Sequence, residues 1–243
     1  MGSPPMKRDP AVFQSTLWSV VLQARESTDS GRRAALDRLC GIYWPPLYAY
    51  LRRKGFGAED AEDHIQGFFG YFLGKELMAN ADPARGRFRN YLLAVLRNYV
   101  GNELQYEGRR KRGGDAPVIS LDRTRIEAEI SAGPPGPETP EAAYHRAWII
   151  SVLDQAYQKL KHDLAVRHGP ELAALIGAHL GSSPKRLSYE DLSRRSGKPV
   201  TTITNLLHAA RRSLRQHIRS VLLETVENES EVDDEIRELF KSP

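Results

Sequence analysis

Disulfides, membrane spans and strands are what this sequence does not provide for. It has one cysteine in 243 residues. No internal disulfide can form, and a reducing compartment is expected. Cys40 itself reads as a small buried apolar residue. No run is long and apolar enough to cross a membrane and no signal peptide is visible, so the cytoplasm is the expected location and no membrane is expected among its partners. No segment alternates apolar and polar residues as a half-buried strand would. The glycines form no phosphate-binding loop, and His64, His145, His162, His168, His179, His208 and His217 fall into no ligand or triad spacing. Asp60, Asp63 and His64 share a helical face, but no second ligand cluster could close a metal site around them. An enzyme is therefore not expected, and no cofactor or metal is implied.

The composition does supply material for a core, with 40% hydrophobic residues, and a net charge of +4 that points mildly to an anionic partner. That balance hides segregation. From Lys185 to Arg219 the basic residues are Lys185, Arg186, Arg194, Arg195, Lys198, Arg211, Arg212, Arg215 and Arg219, opposed only by Glu190 and Asp191. Beyond Leu223 the chain turns acidic.

Helical periodicity runs through most of the chain, so the expected fold is all-α. Residues 11–25 predict a first helix, with Phe13, Leu17, Trp18, Val21 and Leu22 on one side. A second is expected from Ser30 to Ile42, interrupted at Trp44-Pro45-Pro46 because proline cannot continue a helix interior, and resuming over Leu47 to Lys54. Between Gly57 and Asn80, Ile65, Phe68, Phe69, Phe72, Leu73 and Leu77 form a core stripe behind an acidic first turn of Glu59, Asp60, Glu62 and Asp63. Such acids suit a helix N-terminus and would also suit docking on a basic surface. Arg87 to Arg112 predicts a long helix whose apolar stripe is Phe88, Tyr91, Leu92, Val95, Leu96, Tyr99, Val100 and Leu104. Its polar positions hold Arg87, Arg89, Asn90, Arg97, Asn98, Asn102, Gln105 and Tyr106, then Arg109 to Arg112. Basic, amide and aromatic groups interleaved in this way can hold phosphates and stack on unpaired bases.

Glycine and proline crowd residues 113–140, which read as a flexible linker. Two small helical domains are expected on either side, at 11–112 and 141–226, with an acidic tail at 227–243. In the second, a long helix over 141–168 and a shorter one over 170–180 precede Leu187 to Arg219. There Ser188 can cap a short helix with Asp191 three residues on, Gly197 fits a tight turn, and Pro199 suits the first turn of the next helix. Ile203, Leu206, Leu207, Ala210 and Leu214 then recur at helical spacing. This is a helix-turn-helix pattern, whose second helix would enter a DNA major groove. At the end, Val232, Ile236, Leu239 and Phe240 make a short amphipathic stripe expected to pack back on the protein, with an interaction tail as the alternative.

These segments, in this order, resemble the bacterial RNA polymerase sigma factors of the extracytoplasmic-function group, in a longer-tailed branch. Asp60-Ala61-Glu62-Asp63 followed by Gln66, Phe68 and Phe69 is similar to that group's polymerase-docking helix. Phe88-Arg89-Asn90-Tyr91-Leu92 and Arg97-Asn98 are similar to its −10-reading helix, and Leu187 to Leu192, Gly197, Thr202, Ile203, Leu207, His208, Arg211, Leu214 and Arg215 to its −35-binding helix-turn-helix. The resemblance implies a non-enzymatic subunit that gives core RNA polymerase its promoter specificity. It implies docking through Asp60, Glu62, Asp63, Gln66 and Phe69, and −10 contacts through Arg87, Arg89, Asn90, Arg97, Asn98, Asn102, Tyr106, Arg109 and Arg110. It implies −35 contacts through Thr201, Thr202, Thr204, Asn205 and His208 on base edges and Arg211, Arg212 and Arg215 on phosphates. The implied partners are core RNA polymerase and promoter DNA. Control by an anti-sigma factor, by the acidic tail folding onto a basic domain, or by a kinase remains open. Gly67 departs from the group, which often has an acid there, and Thr204, Leu206 and Ala209 stand where basic residues are common. The alternative reading is a helix-turn-helix regulator that binds operator DNA without polymerase, as a dimer on two half-sites.

Overall fold

The computed structural model describes residues 29–74, 87–107, 126–128, 138–181, 187–226 and 229–239. Every regular element among them is helical: α1 (Asp29–Arg53), α2 (Ala58–Gly74), α3 (Phe88–Glu107), α4 (Pro140–His168), α5 (Pro170–Leu180), α6 (Tyr189–Ser196), α7 (Val200–Thr225) and α8 (Glu229–Leu239). The helix expected over 11–25 lies outside the described residues.

Two cores result, and two long helices thread both. In the larger core, Tyr43, Trp44 and Leu47 of α1 meet Ile65, Phe68, Phe69 and Phe72 of α2, Phe88, Leu92 and Leu96 of α3, and Trp148 and Val152 of α4. Ile218, Val221 and Leu222 of α7 and Val232 of α8 close it. The smaller core gathers Leu160 and Leu164 of α4, Leu172 and Ile176 of α5, Leu192 of α6, and Ile203, Leu207 and Ala210 of α7. Burying one such Leu, Ile or Phe side chain contributes about 1.5–3 kcal/mol.

The hydrophobic core therefore does not divide at the expected linker. Tyr144, Trp148, Val152 and Ala156 of α4 belong to the larger core, while Leu160 and Leu164 belong to the smaller core. Ala49 of α1 packs with Ala143 and Ala147 of α4, and side chains this small let the two helices approach closely. Part of the expected linker is itself docked. Ile126 is buried, and Glu127 accepts hydrogen bonds from Tyr48 Oη and from Arg52 Nε, the latter at 2.8 Å.

The break expected at Pro45-Pro46 does not occur: α1 runs through both prolines. Two ring nitrogens without hydrogens weaken the helix there, but Ile42, Tyr43, Trp44, Leu47 and Tyr48 on every side of the break are buried at no more than 1% exposure. Trp44 stacks on Tyr48 with ring centroids 4.9 Å apart. Packing on all sides holds the helical path that local sequence disfavours.

Polar contacts knit α4 to its neighbours. His217 Nε2 of α7 lies 3.1 Å from Asp163 Oδ2 and 3.3 Å from Ser213 Oγ. Both contacts fall on one ring nitrogen, so the imidazole cannot relay a proton between them through its two nitrogens. Lys159 Nζ meets Glu224 Oε1 at 2.9 Å. At the start of α4, Thr139 Oγ1 accepts from Ala142 N at 3.2 Å and caps the helix. Next to it Glu138 accepts from Arg146 at 2.9 and 3.1 Å and pairs with Arg53 of α1 at 3.2 Å.

Those guanidinium contacts, first Arg146 and then Arg53, hold the Glu138 carboxyl below its ordinary value of 4.5. Its contribution is complete above the unfolded value and is lost as the pH falls through the lower folded value. Glu138→Gln is expected to cost about 1–3 kcal/mol near neutrality. Thermal unfolding of both proteins between about pH 7 and pH 3 should show the gap closing in acid; a constant gap would mean that the carboxylate charge is not what matters.

Candidate nucleic-acid interface

The pair α6 and α7 and the turn between them are built as their residues dictate. Asp191 N donates to Ser188 Oγ at 3.0 Å, and Ser188 N donates to Asp191 Oδ2 at 3.4 Å, completing a capping box at α6. The hydrogen bonds from Ser188 hold the exposed Asp191 carboxyl below its usual range. Gly197 ends the helix at φ +65°, a left-handed conformation that favours glycine. Ser193 Oγ donates to Lys198 O at 2.6 Å across the turn. Pro199 stands at the N-cap of α7, one position before the expected place. Leu192, Ile203 and Leu207 are fully buried between the two helices and α5. His179 at the end of α5 is buried and its Nδ1 lies 2.9 Å from Leu187 O, tying α5 to the entry of α6.

With one face of α7 fixed by that core, the other face is set. Thr201, Asn205, His208, Arg212 and Arg215 are all exposed, and their spacing of four, three, four and three residues puts them on one stripe. It lies opposite Ile203, Leu207 and Ala210, which are buried. Thr202 is exposed beside it, whereas Thr204 and Arg211 are half-buried at its edge. Thr204 Oγ1 is turned to its own helix and donates to Val200 O at 3.0 Å. Arg194, Arg195 and Lys198 are exposed on α6 and the turn. Arg194 is paired with Asp191 at 3.3 Å. The arrangement presents hydroxyl, amide and imidazole groups flanked by cations, which is the donor set a major groove and its phosphates accept.

On α3 the structure corrects the expectation. Asn90, Asn98 and Asn102 are exposed. Arg89 is not on that face: it is 4% exposed, inside the larger core. Its guanidinium lies 4.2 Å from the Trp148 ring and pairs with Glu235 of α8. Arg87 Nε meets the other oxygen of the same carboxylate at 3.1 Å. Tyr144 Oη donates to Arg89 O at 2.8 Å. Burial pushes the Tyr43 and Tyr144 hydroxyls around this cluster well up, despite the opposing charge of Arg89. Arg97 remains accessible but is paired with Glu141 and donates to Tyr50 Oη at 3.0 Å. Leu104, expected in the apolar stripe, is 51% exposed. The side chain of Tyr106 and residues 109–110 lie outside the described residues. Glu235 was not singled out in the sequence, although it shares a helical face with Val232 and so was placed to turn inward.

On α2, Asp60 and Asp63 are exposed and Glu62 and Gln66 half-buried. Phe69, expected at the docking surface, is fully buried and packs on Phe68 with centroids 5.6 Å apart. It anchors the helix and cannot touch a partner. Gly67 has a packing reason: a Cβ there would sit 2.4 Å from Tyr99 Oη.

No family model, curated protein or solved structure matches the chain. What the surface can do is read from its own residues.

Gly67→Ala is expected to destabilise by about 1–3 kcal/mol through overpacking. In a Tyr99→Phe background the nearest ring carbon is 3.5 Å from the new methyl, an ordinary contact. There the same change should instead stabilise by about 0.5–1 kcal/mol, the gain from replacing a helical glycine. Denaturant unfolding of the four proteins decides; equal effects in both backgrounds would exclude the tyrosine hydroxyl as the cause.

Proposed function

We propose that the protein is a promoter-specificity subunit of the extracytoplasmic-function sigma type, acting in the cytoplasm on core RNA polymerase and promoter DNA. The observation that carries this reading is the exposed stripe Thr201, Asn205, His208, Arg212 and Arg215, held rigid by a capped helix-turn-helix. In this reading Thr201, Thr202, Asn205 and His208 meet −35 base edges, while Arg212 and Arg215, with Arg195 and Lys198 nearby, take phosphates. Arg211 contributes from the rim. Asn90, Asn98 and Asn102 of α3 take bases of the −10 element extruded from the duplex. Hydrogen bonds from these side-chain amides to the base edges would help offset the few kcal/mol needed to flip each one. The acidic front of α2, with Asp60 and Asp63 outermost, meets a basic polymerase surface, and the buried Phe69 supports it from behind.

Run-off transcription with core polymerase over a promoter library tests the role as a whole. Activity only as an obligate dimer on a palindrome, without polymerase, would favour the operator-binding regulator instead. Arg212→Ala with Arg215→Ala should weaken duplex binding for all sequences and lower the salt slope by about 0.9 per lost phosphate contact. An unchanged slope would remove both arginines from the interface. Asp60→Arg with Asp63→Arg should abolish co-purification of polymerase while leaving the circular dichroism of the fold intact, since both side chains are exposed. Retention of polymerase by the double variant would contradict the docking assignment.

A further inference from the structure

A charged cluster that the function above does not use lies on the helix assigned to the −10 element. The Glu235 carboxylate is shared by Arg87 and Arg89 and is 2% exposed. A carboxylate spread over two guanidiniums occupies the position that a backbone phosphate would take between the same two groups. The helix that delivers it is anionic: Glu229, Glu231, Asp233, Asp234, Glu235 and Glu238 are opposed only by Arg237. Val232 is buried, Ile236 packs against the larger core, and Arg219 Nη1 of α7 reaches Asp233 Oδ1 at 2.6 Å. An 11-residue helix is marginal by itself in water, so α8 is held by these contacts and can leave when they are outcompeted.

We propose that α8 is an inhibitory latch: Glu235 fills a cationic phosphate site on Arg87 and Arg89 and excludes a promoter strand until the tail is displaced. This rests on the sigma-type reading above, and it selects the acidic tail from the modes of control that the sequence left open. The latch acts in two ways. Directly, tail and strand compete for the same guanidiniums. Indirectly, Arg89 lies on Trp148 of α4, so the carboxylate also neutralises a charge buried between α3 and α4. Without it that charge calls for water, and the packing of α4 on α3 loosens at this point.

The test uses the full-length chain, Glu235→Ala and Asp233→Lys, with a labelled single-stranded oligonucleotide and a labelled duplex as probes. If the competent state is a minor one, populated at about a tenth or less, releasing the latch raises single-strand affinity about tenfold or more. Both variants should show the rise, and a synthetic peptide of residues 227–243 added in trans should reverse it, whereas the same peptide with Glu235→Ala should not. Duplex affinity through α7 should stay within about twofold. Should Glu235→Ala lose helix content, Asp233→Lys carries the test, since its exposed side chain leaves the buried pair in place and weakens only the anchor. Single-strand affinity that is unchanged or lower in folded variants would overturn the latch and make α8 a structural cap only. Duplex binding by all the proteins in that case would leave the sigma-type reading standing; absence of duplex binding at low salt in every protein would instead sink that reading.

Discussion

The structure depends on what happens to one buried positive charge. An arginine does not deprotonate in a protein, so Arg89 carries its charge into the core and must be compensated there. It is, by the Trp148 face at 4.2 Å and the Glu235 carboxylate. Those partners come from α4 and α8, which links the middle and the end of the chain to the third helix. A pair desolvated in this way is not a strong net source of stability, but losing either half of it is costly. The cluster therefore acts less as glue than as a condition: α3, α4 and α8 meet here only in the arrangement that satisfies it.

Around that condition the architecture is simple. Two long helices, α4 and α7, each contribute one end to the larger core and the other to the smaller core. Two rods shared by both cores carry orientation from one half to the other, so the α7 stripe is presented at an angle fixed by the front half. The contacts of Glu138 with Arg53 and Arg146 and of His217 with Asp163 reinforce the rods at both ends. A proposed DNA reader needs such rigidity, because base-edge contacts tolerate little play. A proposed strand-melting helix needs the opposite, an exposed polar side. The α3 helix keeps that side in its asparagines while its two leading arginines are engaged elsewhere.

Much of this was legible in the residues. The all-helical class followed from apolar recurrence at helical spacing, and the capping box, the Gly197 turn, the long helix expected at 141–168 and the shorter one at 170–180 were marked by local signals that the structure bears out. Most of the misses share one physical cause, which is tertiary context. Pro45-Pro46 reads as a break because local sequence carries no account of the buried aromatics on both sides. The family resemblance implied Phe69 as a docking residue, whereas its helical spacing already put it in the core stripe, and that is where it lies. Arg89 reads as a surface cation because the residues that neutralise it lie far along the chain. Glycine and proline over 113–140 suggested a free tether, but that composition says nothing of Ile126 and Glu127 docking on α1. Gly67 shows the reverse case, where a departure from a familiar pattern is explained by a single hydroxyl on a neighbouring helix.

The most direct measurement is a double-mutant cycle on the equilibrium unfolding of Arg89→Met and Glu235→Leu. Glu235→Leu leaves the buried Arg89 charge uncompensated and should cost about 3–5 kcal/mol, whereas Arg89→Met leaves the Glu235 carboxylate with Arg87 alone and should cost less. The double change leaves neither and should recover most of that loss, with a coupling energy clearly above about 1 kcal/mol. Additive costs, with a coupling below about 0.5 kcal/mol, would mean that the two residues do not compensate one another and that the tail is not held by the charge on α3.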